Sequence, residues 1–325
     1  MKHKNGGDDL ITNRLLNILK KSVPFKVNEI KQIRKHVYFV KTDHKPYILK
    51  GYSSLQRLYL QEAFTESLKA EGFHHSYSYY RILETPIYFN QKYFGWIEYI
   101  EPHRDRFSYQ SSSDRKEGIR LLNRFHRTTK RLAKSYEMML PRINLYEKWY
   151  ERSSRFQKHI PLLRHYLKDQ MINELMEWSK ISLEGLKNEN LNFGNDDLQP
   201  VILHGDVAHH NYLKSKSGNL YLIDFDLISI GNEGSDLLQY ANRIFPFINW
   251  SMHELSKYEH INKYLNNRAF LLALMYPTDI FREWTRIIKD KTYQSPEKIL
   301  PVMELTVDQF HLRRQLIKDL KNVVK

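Results

Sequence analysis

VILHGDVAHHNYLKSKSGNLYLIDFDLISIG, residues 201–231, sets three histidines, three aspartates and two asparagines among short apolar runs. Val201, Ile202 and Leu203 read as a buried strand that stops at His204 and Gly205. Residues 212–215 and 220–223 flank Lys216, Ser217, Gly218 and Asn219, a turn-forming cluster, so this part reads as a β-hairpin. A turn centred between Ser217 and Gly218 sets Asn211 opposite Asp224, with Cα atoms about 4.5–5.5 Å apart. An amide oxygen and a carboxylate at that spacing suit Mg²⁺, which prefers oxygen donors and is completed by water and substrate phosphates. Asp206, on the loop that feeds the hairpin, is placed to accept a proton from an attacking hydroxyl. These are the parts of a phosphoryl-transfer centre, where positioning and charge supply most of the catalysis. Zinc is not expected. His209 and His210 are neighbours, as are His74 and His75, and adjacent side chains rarely present both imidazoles to one ion.

The rest of the chain bounds this reading. With 325 residues there is enough length and apolar content for a large core. The absence of cysteine excludes disulfides, thiolate catalysis and cysteine-held metal, so any metal must use oxygen or imidazole. No apolar run reaches the roughly 18–20 residues of a membrane-spanning helix, and MKHKNGGDD has no secretory character. A cytoplasmic location without membrane contact is therefore expected. The balance of 51 basic against 37 acidic residues, a net +14, favours anionic partners without choosing among them.

Residues 27–52 read as strands broken at Thr42, Asp43 and His44. A helix follows from Ser53 or Ser54, plausible N-caps, and stops at Gly72. Residues 79–100 return to aromatic and β-branched types with a turn at Asn90, so the first hundred residues form a small sheet with one inserted helix. Beyond residue 100 the pattern turns helical, through 145–190 and from about 236 to the end, with Ser111, Ser112 and Ser113 reading as loop. Between residues 116 and 134, Lys116, Arg120, Arg124, Arg127, Arg131 and Lys134 share one helical face opposite Ile119, Leu122, Phe125 and Leu132. That is a solvated basic face over a core stripe rather than a polyanion site.

His204, Gly205 and Asp206, then Asn211, then Ile223, Asp224, Phe225 and Asp226, resemble the signature of the aminoglycoside phosphotransferase and choline-kinase group, with some flavour of kinase-like relatives associated with spore coats. The resemblance implies an α+β, two-lobed protein-kinase-like fold. Residues 1–97 would be a small antiparallel-sheet lobe that binds nucleotide, and residues 98–325 a larger, mainly helical catalytic lobe. It further implies Asp206 as catalytic base, Asn211 and Asp224 as Mg²⁺ ligands, and His204 as a structural brace. Asp236 is a helix N-cap or, by the resemblance, a carboxylate that supports the catalytic loop. Lys50 resembles the strand lysine that orients phosphates, with Glu62 as its helical partner and Glu66 as the alternative. Residues 95–100 resemble the hinge whose main chain at Glu98 and Ile100 binds adenine, and His126 resembles a structural histidine of the following helix. The chain departs from many kinases in having no glycine between Lys31 and Lys50, so a backbone nest for phosphate is less adaptable.

The expected protein is an ATP- and Mg²⁺-dependent phosphotransferase acting on a hydroxyl of a small molecule. A strongly basic chain is a poor host for polycationic aminoglycosides unless Glu98, Glu101 and Asp105 make the acceptor pocket acidic, so a neutral or anionic sugar or metabolite is the expected acceptor. The alternative is a non-catalytic kinase-like binding protein or spore-coat component. Nucleic acid is not an expected partner, because no recognition helix, zinc finger or base-stacking signature is present. Oligomeric state stays open.

Overall fold

A computed structural model describes residues 6–187 and 199–324. The chain divides into two compact units, Met1–Arg106 with Tyr212–Asp226, and Phe107–Asn211 with Leu227–Lys325.

The first unit is built on an antiparallel sheet. Helix α1 (Gly6–Ser22) precedes β1 (Val27–Arg34), β2 (Val37–Thr42) and β3 (Tyr47–Tyr52); α2 (Leu55–Ala70) follows, then β4 (Tyr79–Tyr80), β5 (Ile87–Phe89) and β6 (Lys92–Glu98). The strand order is β1-β2-β3-β6-β4, with β5 also on β6. Alternation along β3 buries Tyr47 and Leu49 on one face and leaves Lys50 on the other. The buried face meets Val40, Phe94 and Trp96 and is covered by Leu15 and Leu19 of α1. Helix α1 was not expected. Its two core leucines lie four residues apart, a helical spacing that a short polar segment conceals. Ser54 caps α2 by accepting from Arg57 N, and the helix ends before Gly72.

The hairpin of β8 (Tyr212–Lys214) and β9 (Leu220–Leu222) belongs to this unit. The expected boundary at 97/98 thus moves to 106/107, and residues 212–226 leave the helical unit. Hydrogen bonds give the reason: Leu222 N donates to His75 O at 2.9 Å, Lys216 N to Glu101 O at 2.8 Å, and His103 N to Lys214 O at 2.8 Å. The hairpin register also differs by one residue from the expected one, pairing Tyr212 with Leu222 and Lys214 with Leu220. Ser215 N donates to Asn219 O, which leaves a three-residue loop closed by Gly218 at φ +84°. A loop of that length with glycine in the left-handed region is a favoured hairpin closure. Asn211 and Asp224 are therefore not a ladder pair.

The second unit is mainly helical. Its elements are α3 (Ser112–Tyr136), α4 (Leu145–Lys158), α5 (Ile160–Leu163), α6 (Asp169–Lys187), α7 (Gly234–Ile244), α8 (Met252–Ser256), α9 (Glu259–Asn262), α10 (Arg268–Met275), α11 (Thr278–Lys289), α12 (Pro296–Val307) and α13 (Phe310–Val324). Two short strands, β7 (Val201–Leu203) and β10 (Ser229–Gly231), pair antiparallel. Ser111 is not loop but the N-cap of α3, accepting from Asp114 N, and Ser112 and Ser113 open the helix. Lys116, Arg120, Arg124, Arg127, Arg131 and Lys134 are exposed and Ile119, Leu122, Phe125 and Leu132 are buried, as the periodicity requires, whereas Arg115 in the first turn is buried. Stacked rings fix α4 against the later helices: Trp149 on Tyr276 at 4.5 Å and Phe156 on Phe281 at 3.9 Å. Residues 188–190 of the expected helical stretch lie outside the described residues. No described helix is long and apolar enough to cross a membrane.

Candidate active site

In the second unit, β7 delivers the chain from the core into the His204, Gly205, Asp206 loop. Asp236, in the first turn of α7 and wholly buried, collects this loop. Its Oδ2 accepts from His204 N at 2.7 Å and its Oδ1 from Gly205 N at 3.0 Å. His126 of α3, equally buried, lies with Nε2 2.8 Å from Asp236 Oδ2. Burial alone would raise the Asp236 pKa, but His126 and the main-chain donors outweigh it and hold it below the usual carboxylate range. The carboxylate is thus a charged brace inside the core rather than an N-cap. His204 Nδ1 accepts from Asp206 N at 3.3 Å.

Gly205 has φ +79°, and a Cβ there would stand 2.1 Å from Leu227 O. The contact is with backbone, so it cannot be relieved by a rotamer change. Gly205→Ala is expected to lower the melting temperature by several degrees or to yield insoluble protein, because it adds left-handed strain to a backbone clash. A variant that melts with the wild type would show that this loop yields freely.

Beyond the turn, Asp206 is about one-third exposed and Asn211 is buried. Asn211 Nδ2 donates to Asp206 O at 2.8 Å and lies 3.3 Å from Asp206 Oδ2. Its Oδ1 is buried with no hydrogen-bond partner. Because Nδ2 faces two acceptors, the amide orientation is fixed, and the orphaned oxygen is a ready donor for a hard cation. Arg243, from the last turn of α7, approaches Asp206 Oδ1 at 3.6 Å. No local signal pointed to it, since 37 residues of chain separate the two.

In the first unit, Lys50 Nζ donates to Asp224 Oδ1 and to Asp226 Oδ1, both at 2.8 Å. Burial disfavours the Lys50 charge; Tyr52, Tyr77 and the two aspartates outweigh burial and raise its pKa. Burial keeps the Tyr52 and Tyr77 phenols protonated at neutral pH, so the aspartates hold the ammonium. Asp226 stands within the motif, yet its sequence position alone assigns it no role. Asp224 sits at φ +70°, a left-handed conformation that aspartate tolerates better than most residues. Gln61 of α2 donates to Phe225 O at 2.9 Å and Phe64 packs edge-on against Phe225, so α2 fixes this segment.

The expected Lys50–Glu62 pair is not formed. Glu62 Oε2 lies 3.4 Å from Arg81 Nε, and Glu66 is exposed. Neighbouring Gln61, one helical position earlier, takes the inward place that the pairing required of Glu62. Glu98 closes β6: its N donates to Ser78 O at 2.8 Å and its Oε2 accepts from Ser78 N at 3.0 Å. Ile100 lies past the strand, outside the sheet ladder. Glu101 is ion-paired to Lys216 at 2.9 Å, and the Asp105 carboxylate lies 3.9 Å from His103 Nδ1. Between β1 and β2 the turn is made by His36 at φ +59°, without glycine. Among the described residues no group of three or more His, Cys, Asp or Glu could hold a metal ion. Mg²⁺ needs only one or two protein oxygens besides phosphates and water.

Residues 28–260 match the phosphotransferase enzyme family. The chain belongs to this family. The phosphotransferase's fold is also that of solved relatives at low identity. An aminoglycoside phosphotransferase from Alicyclobacillus acidocaldarius is 13% identical over 93% of this chain and 94% of its own, with TM-score 0.72. An AMP-bound spectinomycin phosphotransferase is 15% identical over 93% and 97%, with TM-score 0.66. A choline kinase from Streptococcus pneumoniae is 14% identical over 97% and 100%, with TM-score 0.51. The phosphotransferase thus has the kinase-like α+β architecture, a small antiparallel-sheet unit and a larger helical one.

Proposed function

We propose that the protein transfers the γ-phosphoryl group of ATP to a hydroxyl of a small molecule, a sugar or metabolite rather than an aminoglycoside. The acceptor oxygen bonds to Pγ, the bond from Pγ to the bridging oxygen breaks, ADP leaves, and the hydroxyl proton passes to Asp206. Asn211 and Asp224 are the residues that would hold Mg²⁺, which when bound neutralises charge on the β- and γ-phosphates. Lys50 exchanges its aspartate partners for phosphate oxygens, and the main chain at Glu98 and Ile100 takes the adenine edge. Glu62, held by Arg81, takes no part.

The observation that carries this reading is the loop itself. Asp236 and His126 pin the main chain of residues 204–205, and the next carboxylate, Asp206, shares Asn211 with an amide oxygen that nothing else occupies. A scaffold has no use for a buried, unsatisfied oxygen, which costs on the order of 1–3 kcal/mol. The AMP bound in the spectinomycin phosphotransferase supports a nucleotide donor. Incubated with ATP and a panel of sugars and polyols, the purified protein is expected to release ADP only when Mg²⁺ is present and to stop on chelation with EDTA. Absence of both Mg²⁺-dependent ATP binding by calorimetry and ADP release would sink the assignment.

A further inference from the structure

The second unit concentrates positive charge beside Asp206. Lys148 and Arg152 lie one turn apart on α4 and so share a face. Arg152 Nη1 donates to Thr278 O at 3.2 Å and to Thr278 Oγ1 at 2.5 Å, which places it at the start of α11. Arg282 comes from the next turn of α11 and Arg243 from the end of α7. Burial, and then Arg282 among like-charged neighbours, lowers the pKa of Arg243; burial, Arg152 and Arg282 do the same for Lys148. Asp206 pulls both the other way, so these cations share one electrostatic neighbourhood with it.

The nearby carboxylates do not cancel this charge. Asp279 is consumed by Arg313, which binds it bidentately at 2.9 and 2.6 Å and packs over the Trp250 ring at 4.1 Å. Burial alone would raise the Asp279 pKa, yet Arg313 pulls it to about 2. Glu283 is divided between Arg282 at 3.0 Å and Arg286 at 2.6 Å. Among the described residues Asp206 has one cation within ion-pair range, Arg243 at 3.6 Å, and Lys148 has no carboxylate partner. Like charges gathered in one place destabilise a free protein, and such a group is relieved when an anion enters. Guanidinium forks suit phosphate and carboxylate, and they stay charged at any working pH.

We propose that the acceptor carries an anionic group, a phosphate or carboxylate, bound by Lys148, Arg152, Arg243 and Arg282 while its free hydroxyl lies at Asp206. The inference rests on Asp206 as the base of a phosphotransferase and narrows the acceptor to an anionic polyol. An aminoglycoside or a choline-like cation is excluded by the same charge. The transfer is that described above, with the anionic group unchanged and serving only for binding and orientation.

The test uses the full chain with and without Arg282→Gln and Lys148→Gln, at a half-exposed and an exposed position, and Lys158→Gln on the exposed end of α4 as a charge-matched control. Binding of glucose 6-phosphate, gluconate, glucose and kanamycin is measured by calorimetry without nucleotide, and ADP release is measured with ATP and Mg²⁺. The expected result is that glucose 6-phosphate or gluconate binds in preference to glucose and kanamycin. Each of the first two variants should weaken that binding and raise the acceptor KM on the order of 10- to 100-fold, with the Lys158 control unchanged. Preference for phosphate over carboxylate, or the reverse, identifies the anion. Preference for glucose or kanamycin, or variants that bind the anions as well as the wild type, would overturn the inference even where ADP is released. Anion binding lost in the variants while ATP is neither bound nor turned over would leave the site standing and remove the phosphotransferase reading instead.

Discussion

Asp206→Asn is expected to fold as the wild type does and to lose phosphoryl transfer by about 10²- to 10⁴-fold in kcat, the range spanned by a positioned general base. The loop needs little from this carboxylate for stability. Asp236 holds the main chain of His204 and Gly205, and Asn211 keeps its 2.8 Å bond to Asp206 O. The Arg243 approach at 3.6 Å joins two groups about one-third exposed, so its loss costs about 1 kcal/mol or less. The effect should fall on kcat and leave the KM for ATP nearly unchanged, which separates a lost proton acceptor from lost nucleotide binding. Steady-state kinetics beside a melting curve check this. Full activity in the variant, or a fall in melting temperature that accounts for the loss, would remove Asp206 from the base role.

Asp236→Ala should have the opposite profile, a stability defect first. The substitution strips the partner from the His126 ring, already carrying an unbonded Nδ1, and from two main-chain N–H groups in a region without solvent exposure. Breaking a buried pair from one side costs on the order of 3–5 kcal/mol, most of it the penalty on the groups left behind. Differential scanning calorimetry should show a drop of roughly 10 °C, at about 2–4 °C per kcal/mol. The pH dependence has a definite sign. The Asp236 pKa is lower in the folded protein than in the unfolded chain, so its stabilisation is complete above the ordinary aspartate value and is lost as pH falls through the folded one. The gap between wild type and variant should therefore shrink in acid. A variant within a degree or two of wild type at neutral pH would mean the loop is held elsewhere.

These two aspartates show what a chain reveals before it folds. The loop residues and the two following motif aspartates lie within 23 positions, so their order and residue types could be read directly. The hairpin was legible and its register was not, because a three-residue loop closed by Gly218 and a two-residue turn leave the same composition behind. Lys50 was found on the correct strand, but its partner depends on how α2 is rotated about its axis. One residue of rotation brings Gln61 inward and turns Glu62 to Arg81. His126 and Asp236 were each singled out, yet the 110 residues between them hid their direct bond. The cations around Asp206 carry no sequence pattern at all; only the packing of α4, α7 and α11 assembles them.

The left-handed backbone at Asp224, φ +70°, reaches beyond local geometry. Of the side chains that offer oxygen to a hard cation, aspartate and asparagine settle in that conformation with least strain, while glutamate is resisted before its extra methylene matters. The main chain thus screens candidates ahead of any metal, and the mutational routes open to this position are narrowed to the two shortest oxygen donors by folding alone.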